Sequence, residues 1–312
     1  MAVCAKTASS VISLLVQGHS LMWKAPYRDE FVVRPDGLRV SYRVFGDHDR
    51  TFVIANGHGA PQSVWAGIID VLLPDAQVII WDYLGQHQSD VPPKEMLVDV
   101  CEHCEDLALI LAREETERYV MGGWSLGVQV ALAQYERDRE RIDGLALMHG
   151  VPGRIMHHVC GAKPEFAFPA THFLKFLLSK VGRGPQQLIH KIARRPELSV
   201  LYERLGLIHT THAGFGDLVE AFTLLDLEIY LGVALQSDAH STDHWLHTIN
   251  VPTLVTLGLS DVITPSASAA PLFSVIPTAT VEIFDGSHFP MFEAPGRLTV
   301  LLRQLLQQTG HP

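Results

Sequence analysis

The alternation of short apolar runs with amphipathic segments constrains the fold of this chain most. The continuous apolar runs lie at residues 51–55, 77–81, 119–122 and 145–149. Such runs are typical of strands that are buried on both faces. Segments with helical spacing lie between them, at residues 63–73, at residues 94–115 and from residue 128 onward. Because strands that alternate with helices build a mainly parallel sheet with helices on both faces, we predict an α/β fold.

The pattern changes at both ends and in the middle of the chain. Residues 31–33 and 38–45 flank a Pro-Asp-Gly turn, which predicts a β-hairpin before the alternation begins. From residue 154 to about 245 the chain has the character of helices and loops, and strand-like runs return at residues 253–258 and 281–284. We therefore predict a helical cap, inserted after the strand that ends near His149. The predicted domains are an N-terminal extension (1–30), a core in two parts (31–153 and 246–312) and the cap (154–245).

Composition excludes several classes of function. The chain has 312 residues, 47% of them hydrophobic, and a formal charge of −10. A protein that binds nucleic acid through the phosphates would need a basic surface, so we predict no nucleic-acid partner. Four cysteines in a chain of this length do not make a disulfide scaffold, which favours a reducing compartment and predicts a cytoplasmic location.

The N-terminus contains one short apolar run, at residues 11–16. We predict a short helix that packs on the domain or on a partner, and a signal peptide is the alternative. No stretch approaches the roughly 20 apolar residues that a membrane span needs, so stable membrane insertion is not expected. The sequence leaves a homodimer open.

A G-x-S-x-G pentapeptide, Gly123-Trp124-Ser125-Leu126-Gly127, separates a strand-like run from a helical segment. In such a turn the serine hydroxyl points away from the sheet, and glycines flank it because two backbones meet there. The pattern therefore predicts Ser125 as a nucleophile. A serine hydroxyl is a weak nucleophile by itself and needs a base, and the base needs an acid to orient it.

Two later segments supply candidates for the base and the acid. Asp261 follows the strand-like run at residues 253–258, and His288 follows the run at residues 281–284. Both residues would lie at the carboxyl edge of the sheet, where ligands collect in open α/β sheets. Asp285 lies close to His288, but we interpret it as a turn residue.

Four motifs together resemble the α/β-hydrolase superfamily over nearly all of residues 31–312. They are the elbow at Ser125, the pair of Asp261 and His288, the loop Asn56-Gly57-His58-Gly59-Ala60-Pro61, and the segment 82–90. Segment 82–90 is similar to the family pattern D-x-x-G-x-G-x-S-D, with His87 in place of the second glycine.

The resemblance implies an α/β-hydrolase fold and a catalytic triad of Ser125, Asp261 and His288. It further implies an oxyanion hole made by the backbone N–H groups of Leu126 and Ala60.

The resemblance also leaves some assignments open. His58 and Trp124 are candidates for the walls of the substrate pocket, and Trp124 gives the W-S-L-G elbow of small carboxylesterases. Some family members take the acid from the end of the strand after the elbow. Here no acidic residue follows that strand before Glu165, which favours Asp261.

The pair Cys101 and Cys104 invites a redox or metal interpretation. We predict instead that both cysteines lie mid-helix on its buried face, because Leu97, Cys101, Cys104, Ala108 and Leu111 recur at helical spacing. No histidine spacing matches a zinc site, so we predict no metal and no cofactor.

The function that these residues favour is hydrolysis of a carboxylic ester, thioester or lactone of a mainly apolar small molecule. Phenylalanines and leucines of the cap, among them Phe173, Phe176, Leu177, Leu224 and Leu225, predict an apolar acyl pocket. An acyltransferase with the same triad is one alternative. A cofactor-free dioxygenase or lyase of the same fold and a catalytically silent binding module are the others.

Overall fold

The computed structural model describes residues 23–158, 164–181, 204, 208 and 213–309. Within these residues eight strands form one sheet in the order β1-β2-β4-β3-β5-β6-β7-β8. The strands are β1 Tyr27–Val33, β2 Arg39–Phe45, β3 Thr51–Ala55, β4 Gln77–Trp81, β5 Tyr119–Trp124, β6 Ile142–Met148, β7 Thr253–Gly258 and β8 Ala279–Phe284. The hairpin β1–β2 and the pair β2–β4 are antiparallel, and every other pairing is parallel. The predicted mainly parallel α/β sheet is confirmed.

Helices connect the strands and follow the last one. They are α1 Ala66–Leu72, α2 Val100–Arg113, α3 Leu126–Arg137, α4 Pro164–Val181, α5 Ala213–Thr223, α6 Leu227–Ser237, α7 Ser266–Phe273, α8 Pro290–Glu293 and α9 Pro295–Gln308. Short 3-10 helices lie at Gln62–Trp65, Ile155–His157 and Leu246–Thr248.

Two apolar clusters cover the two faces of the sheet. Alternate residues of β3 divide between them: Val53 faces the cluster that contains α2 and α3, and Phe52 faces the cluster that contains α1 and α9. Because β3 and β4 are buried on both faces, their sequences are apolar after the first residue of each strand, which is why both strands were predictable from their composition. The parallel strands place the loops that follow β3, β5, β7 and β8 at one edge.

The prediction for residues 94–115 is wrong at its N-terminal end, because α2 begins at Val100. The Asp99 side chain accepts hydrogen bonds from the backbone N–H groups of Cys101 and Glu102, and thus caps the helix six residues later than predicted. The prediction that both cysteines lie mid-helix on the buried face is therefore also wrong. Cys101 is exposed in the first turn and only Cys104 is buried.

The correction removes the mid-helix argument against a redox role, but electrostatics still disfavours one. Burial raises the pKa of the Cys101 thiol and raises the pKa of Cys104 to about 12. A reactive thiol needs the opposite shift.

The described part of residues 154–245 contains α4, α5 and α6, which follow β6 in the chain. A single β-bridge joins Gly153 to Ser241 where this segment leaves the sheet and returns to it. The domain boundaries stay a prediction, and residues 1–22 of the N-terminal extension lie outside the described residues. Among the described helices, none is both long enough and apolar enough to cross a membrane.

Candidate active site

The turn between β5 and α3 holds Ser125 in an unusual backbone conformation, with φ of 58° and ψ of −118°. Its two glycines are required by close backbone contacts. A Cβ atom at Gly123 would lie 2.1 Å from the Gly127 carbonyl oxygen, and one at Gly127 would lie 2.1 Å from the Ala55 carbonyl oxygen. A non-glycine residue with positive φ is strained, and here the strain directs the serine side chain out of the sheet edge.

The side chains of Ser125, His288 and Asp261 form a chain of hydrogen bonds. The Nε2 atom of His288 is 2.9 Å from Oγ of Ser125, and its Nδ1 atom is 2.8 Å from Oδ2 of Asp261. All three side chains are buried. Because a carboxylate only accepts, the imidazole proton sits on Nδ1 and leaves Nε2 free to accept the hydroxyl proton of Ser125.

Asp261 is held as a carboxylate by a ring of donors. Its Oδ1 atom accepts the backbone N–H groups of Ile263 and Thr264, each at 2.8 Å, and the Thr264 hydroxyl lies 2.9 Å from Oδ2. Burial would raise the pKa of Asp261, but the charge and hydrogen bond of His288 and the backbone N–H of Thr264 outweigh it and lower the pKa. Thr264 was not predicted from the sequence.

The alternative position for the acid, after β6, is taken by His149. This residue is fully buried, and its Nδ1 atom lies 3.0 Å from the Thr256 hydroxyl. Burial lowers the pKa of His149 to about 3, so the ring is neutral and cannot serve as the acid partner of His288. Asp285 is exposed and Asp261 is the carboxylate that contacts His288.

The predicted oxyanion donor Ala60 does not fit the geometry of its loop. Its N–H group donates to the Gly57 carbonyl at 3.1 Å and so closes a turn instead of facing Ser125. Gly57 and Gly59 also use their N–H groups, the first on Asn56 Oδ1 and the second on Gln86 Oε1. The loop therefore leaves the backbone N–H of His58 without an acceptor among the described residues. Leu126, at the first position of α3, likewise has an N–H without an intrahelical acceptor.

Trp124 closes the floor of the site. Its indole Nε1 donates to the main-chain carbonyl of His288 at 2.9 Å, and its ring covers Gly57, where a Cβ atom would lie 2.6 Å from two ring carbons. The residue thus joins the elbow, the loop after β3 and the loop that carries His288.

A cavity of about 570 Å³ opens above Ser125, between the sheet edge and the cap. Its wall is mainly apolar and contains no Lys, Arg, Asp or Glu among the described residues. The cap side chains on this wall are Met156, Thr171, Phe215, Leu218, Val219, Phe222, Thr223, Tyr230, Leu231 and Ala234, with Ile155 beside them.

The predicted choice of cap residues for this wall is corrected in part. Phe173, Phe176 and Leu177 lie on an exposed part of α4, and Leu224, directly after α5, is also exposed. The aromatic side chains of α5 and α6 line the cavity in their place. No group of three or more potential metal ligands occurs in the part of the chain that the structure describes.

Comparison with known proteins identifies the fold. A family model for the alpha/beta hydrolase fold matches residues 51–221. An uncharacterised protein of Mycobacterium tuberculosis is 24% identical over 288 residues, which are 88% of this chain and 80% of that protein.

Solved structures agree in fold at low sequence identity. An enol-lactonase from Burkholderia xenovorans LB400 aligns with a TM-score of 0.71 at 20% identity, over 89% of this chain and all of that one. An esterase from Rhodococcus sp. ECU1013 aligns with a TM-score of 0.70 at 20% identity, over 90% of this chain and 99% of that one. Since the family model covers more than half of the sequence, this chain belongs to the alpha/beta hydrolase fold family.

Proposed function

We propose that this protein is a serine hydrolase that cleaves a carboxylic ester, thioester or lactone with an apolar acyl group. The observation that carries the proposal is the continuous chain of hydrogen bonds from Ser125 through His288 to Asp261. Ser125 faces a cavity whose described wall residues carry no formal charge. Nucleophile, base and orienting acid in this order form the arrangement that acyl transfer through serine requires.

In the first half of the reaction, Oγ of Ser125 forms a bond to the acyl carbon while Nε2 of His288 takes its proton. Negative charge then develops on the former carbonyl oxygen. The N–H groups of His58 and Leu126 are the two donors in this proposal, with His58 replacing the predicted Ala60. The imidazolium passes its proton to the leaving oxygen or sulfur, and the acyl group stays on Ser125.

In the second half, His288 takes a proton from water, whose oxygen attacks the acyl carbon. The bond between the acyl carbon and Oγ of Ser125 then breaks, the imidazolium returns the proton to Oγ, and the acid leaves. Asp261 holds the imidazole in one tautomer and stabilises its charged form in both halves. No step needs a metal or an organic cofactor.

The size and lining of the cavity favour an acyl group over a sugar or a charged substrate. A wall without formal charge offers no partner to a substrate carboxylate or ammonium, and burying such a group unpaired costs several kcal/mol. The cavity volume of about 570 Å³ lies within the range of small-molecule sites, roughly 300–1,000 Å³.

A panel of p-nitrophenyl esters of graded acyl length tests the proposal on wild-type protein and on Ser125→Ala. We expect Ser125→Ala to lose at least about 10³-fold in kcat. A fluorophosphonate probe should label wild-type protein and not this variant. Ser237→Ala is the matched control, because Ser237 is fully buried, lies outside the cavity wall and has a hydroxyl that finds no hydrogen-bond partner within the described ranges.

Three outcomes would contradict or redirect the proposal. Turnover that persists in Ser125→Ala would point to the non-covalent dioxygenase or lyase chemistry of this fold. An ester product in the presence of added alcohols, formed faster than the free acid, would favour an acyltransferase. Absence of both labelling and turnover in the wild-type protein would favour a binding module.

A further inference from the structure

The cap rests directly on the loop that follows β3. At Gly59, where φ is +79°, a Cβ atom would lie 2.9 Å from the Tyr230 ring and 3.0 Å from both Leu225 and Phe222. These three residues belong to α5, α6 and their connection. The loop that carries the proposed oxyanion donor is therefore in contact with the cap along its outer side.

The His58 ring lies against the cap with both nitrogens occupied. It stacks on the Tyr230 ring at a centroid distance of 3.9 Å and an angle of 14°. Its Nε2–H donates to the Tyr230 main-chain carbonyl at 2.9 Å, and its Nδ1 accepts from the Gln86 amide Nε2 at 2.9 Å. Burial lowers the pKa of His58 to about 4, so the ring stays neutral with its proton on Nε2. The side chain is thus a structural contact, whereas the backbone N–H remains free.

The next peptide along the loop is held at both ends. The Gly59 N–H donates to Gln86 Oε1 at 2.9 Å, and the Gly59 carbonyl accepts from His87 Nε2 at 3.2 Å. His87 has a φ of 46°, in the left-handed region, at the position where the family pattern has glycine. This conformation costs a non-glycine residue roughly 1–2 kcal/mol. A glycine at position 87 would avoid that cost, but it would lack the ring that donates a hydrogen bond to the Gly59 carbonyl.

We propose that the side chains of His58, Gln86 and His87 are positioning residues, which orient the His58 N–H towards the oxyanion. Together with the Tyr230 carbonyl they are called the loop clamp below. The proposal rests on the proposed function, since that function makes the His58 N–H a donor. The clamp fixes the backbone on the C-terminal side of that N–H, and one of its four members belongs to the cap helix α6.

Kinetics of Gln86→Met tests the clamp. This change keeps the length of the side chain and removes both of its hydrogen bonds. Loss of an oxyanion donor costs about 10²–10³-fold in kcat, so a misoriented donor should cost about 10–100-fold. KM should change much less, because the cavity wall stays intact. Gln86→Glu keeps an acceptor for Gly59 N–H and should recover part of kcat.

The matched control is Gln134→Met, which removes a buried glutamine that donates to the Tyr119 hydroxyl at 2.8 Å, at the far end of α3. Its kcat should stay within about twofold of wild type, since it touches neither the loop nor the cavity. An equal fall of kcat in the two variants, or an unchanged kcat in Gln86→Met, would overturn the proposal. If Gln86→Met does not fold, His87→Gly takes its place, because glycine suits the left-handed backbone. It should lower kcat and leave the thermal midpoint unchanged or raised, whereas an unchanged kcat would overturn the proposal.

A second measurement separates this proposal from the proposed function. Nitrogen-15 NMR of labelled histidine side chains, with His58→Phe for assignment, reports the His58 tautomer without any substrate. Wild-type His58 should remain neutral at pH 6, with its proton on Nε2, and Gln86→Met should shift its Nδ1 resonance. A His58 that titrates near pH 6.5 in wild-type protein would overturn the clamp, even if ester hydrolysis holds. An intact clamp without ester hydrolysis would instead count against the proposed function.

Discussion

The indole Nε1 of Trp124 donates to the main-chain carbonyl of His288 at 2.9 Å, across 164 residues of sequence. The two residues belong to different parts of the sheet. Trp124 is the last residue of β5, and His288 lies in the loop after β8, which is three strands away from β5. This hydrogen bond connects the residue before the proposed nucleophile to the residue that carries the proposed base. It thereby fixes the separation of the two loops independently of the hydrogen bond between the side chains of Ser125 and His288.

Replacement of Trp124 by phenylalanine should lower kcat/KM for an activated ester by about 10-fold, since a buried carbonyl left without its donor costs roughly 1–3 kcal/mol. Ester hydrolysis and the rate of fluorophosphonate labelling are the measurements. Trp245→Phe is the control, because Trp245 is also buried and its Nε1 has no hydrogen-bond partner in the described part of the chain. A similar loss in both variants would show that ring volume, and not the hydrogen bond, is responsible.

Gly57→Ala should destabilise the fold by about 1–3 kcal/mol, because its Cβ atom would overlap the Trp124 ring at 2.6 Å. Gly67→Ala, in α1, should stabilise the protein by about 0.5–1 kcal/mol, because alanine favours the helix. Apart from the adjacent residues and the backbone of its own helix, no atom of the described residues lies within 4 Å of the added Cβ. Thermal unfolding of the two variants beside wild type checks the opposite signs. Destabilisation by Gly67→Ala would contradict the helical conformation assigned to that residue.

The strands of the core and the three residues of the proposed triad were predictable because each has a local signal. Continuous apolar runs marked β3 and β4 to the residue, and the order of Ser125, Asp261 and His288 after strand-like runs indicated one sheet edge. Burial on both faces of a parallel sheet leaves little freedom in sequence, so these signals are strong.

The hydrogen bond of the Ala60 N–H to Gly57 and the start of α2 were not predicted, for different physical reasons. The choice between Ala60 and His58 depends on a turn that joins Gly57 to Ala60, and the HG pattern does not encode that turn. The start of α2 did have a local signal, since Asp99 followed three residues later by Glu102 matches the sequence pattern of a helix N-terminus. The hydrogen bonds of Gln86 with His58 and Gly59 join segments nearly 30 residues apart, and only the tertiary structure shows them.

His103→Phe should make the fold less sensitive to acid. His103 is fully buried, stacks on Tyr83 and has no hydrogen-bond partner among the described residues at either ring nitrogen, and burial lowers its pKa to about 3. The unfolded chain binds this proton near pH 6.5 and the folded chain does not, so stability is full above that pH and falls as the pH drops towards 3. At pH 5 this one group costs about 2 kcal/mol.

Urea unfolding at pH 7.5 and pH 5 measures the difference. The loss of stability between the two pH values should be smaller in His103→Phe than in wild type by about that 2 kcal/mol. Equal losses in the two proteins would mean that the folded state can protonate His103.

Arg34→Met should be strongly destabilising, because it leaves the fully buried carboxylate of Asp106 without its cation. The Arg34 guanidinium pairs with Asp106 and with Glu102, and these two ion pairs join the β1–β2 hairpin to α2. Removal of one partner of a buried pair costs roughly 3–5 kcal/mol. The double variant Arg34→Met/Asp106→Leu should recover most of that loss in denaturant unfolding, since no unpaired charge remains. A double variant no more stable than Arg34→Met would show that packing of the arginine stem dominates.

Leu218→Trp should lower the maximum length of the acyl chain that the protein accepts. Leu218 is a buried residue of α5 on the cavity wall, and a larger ring at this place would project into the cavity of about 570 Å³. Each methylene of an acyl chain that remains bound contributes about 0.8 kcal/mol, so kcat/KM in the wild-type protein should rise with chain length until the cavity is full. In Leu218→Trp that rise should stop at a shorter chain, while the acetyl ester keeps its wild-type kcat/KM because Ser125 and His288 are untouched.

Leu224→Trp, at an exposed position of the cap outside the cavity wall, should leave the whole profile unchanged. An unchanged profile in Leu218→Trp would mean that the acyl group lies elsewhere and that this cavity receives the leaving group.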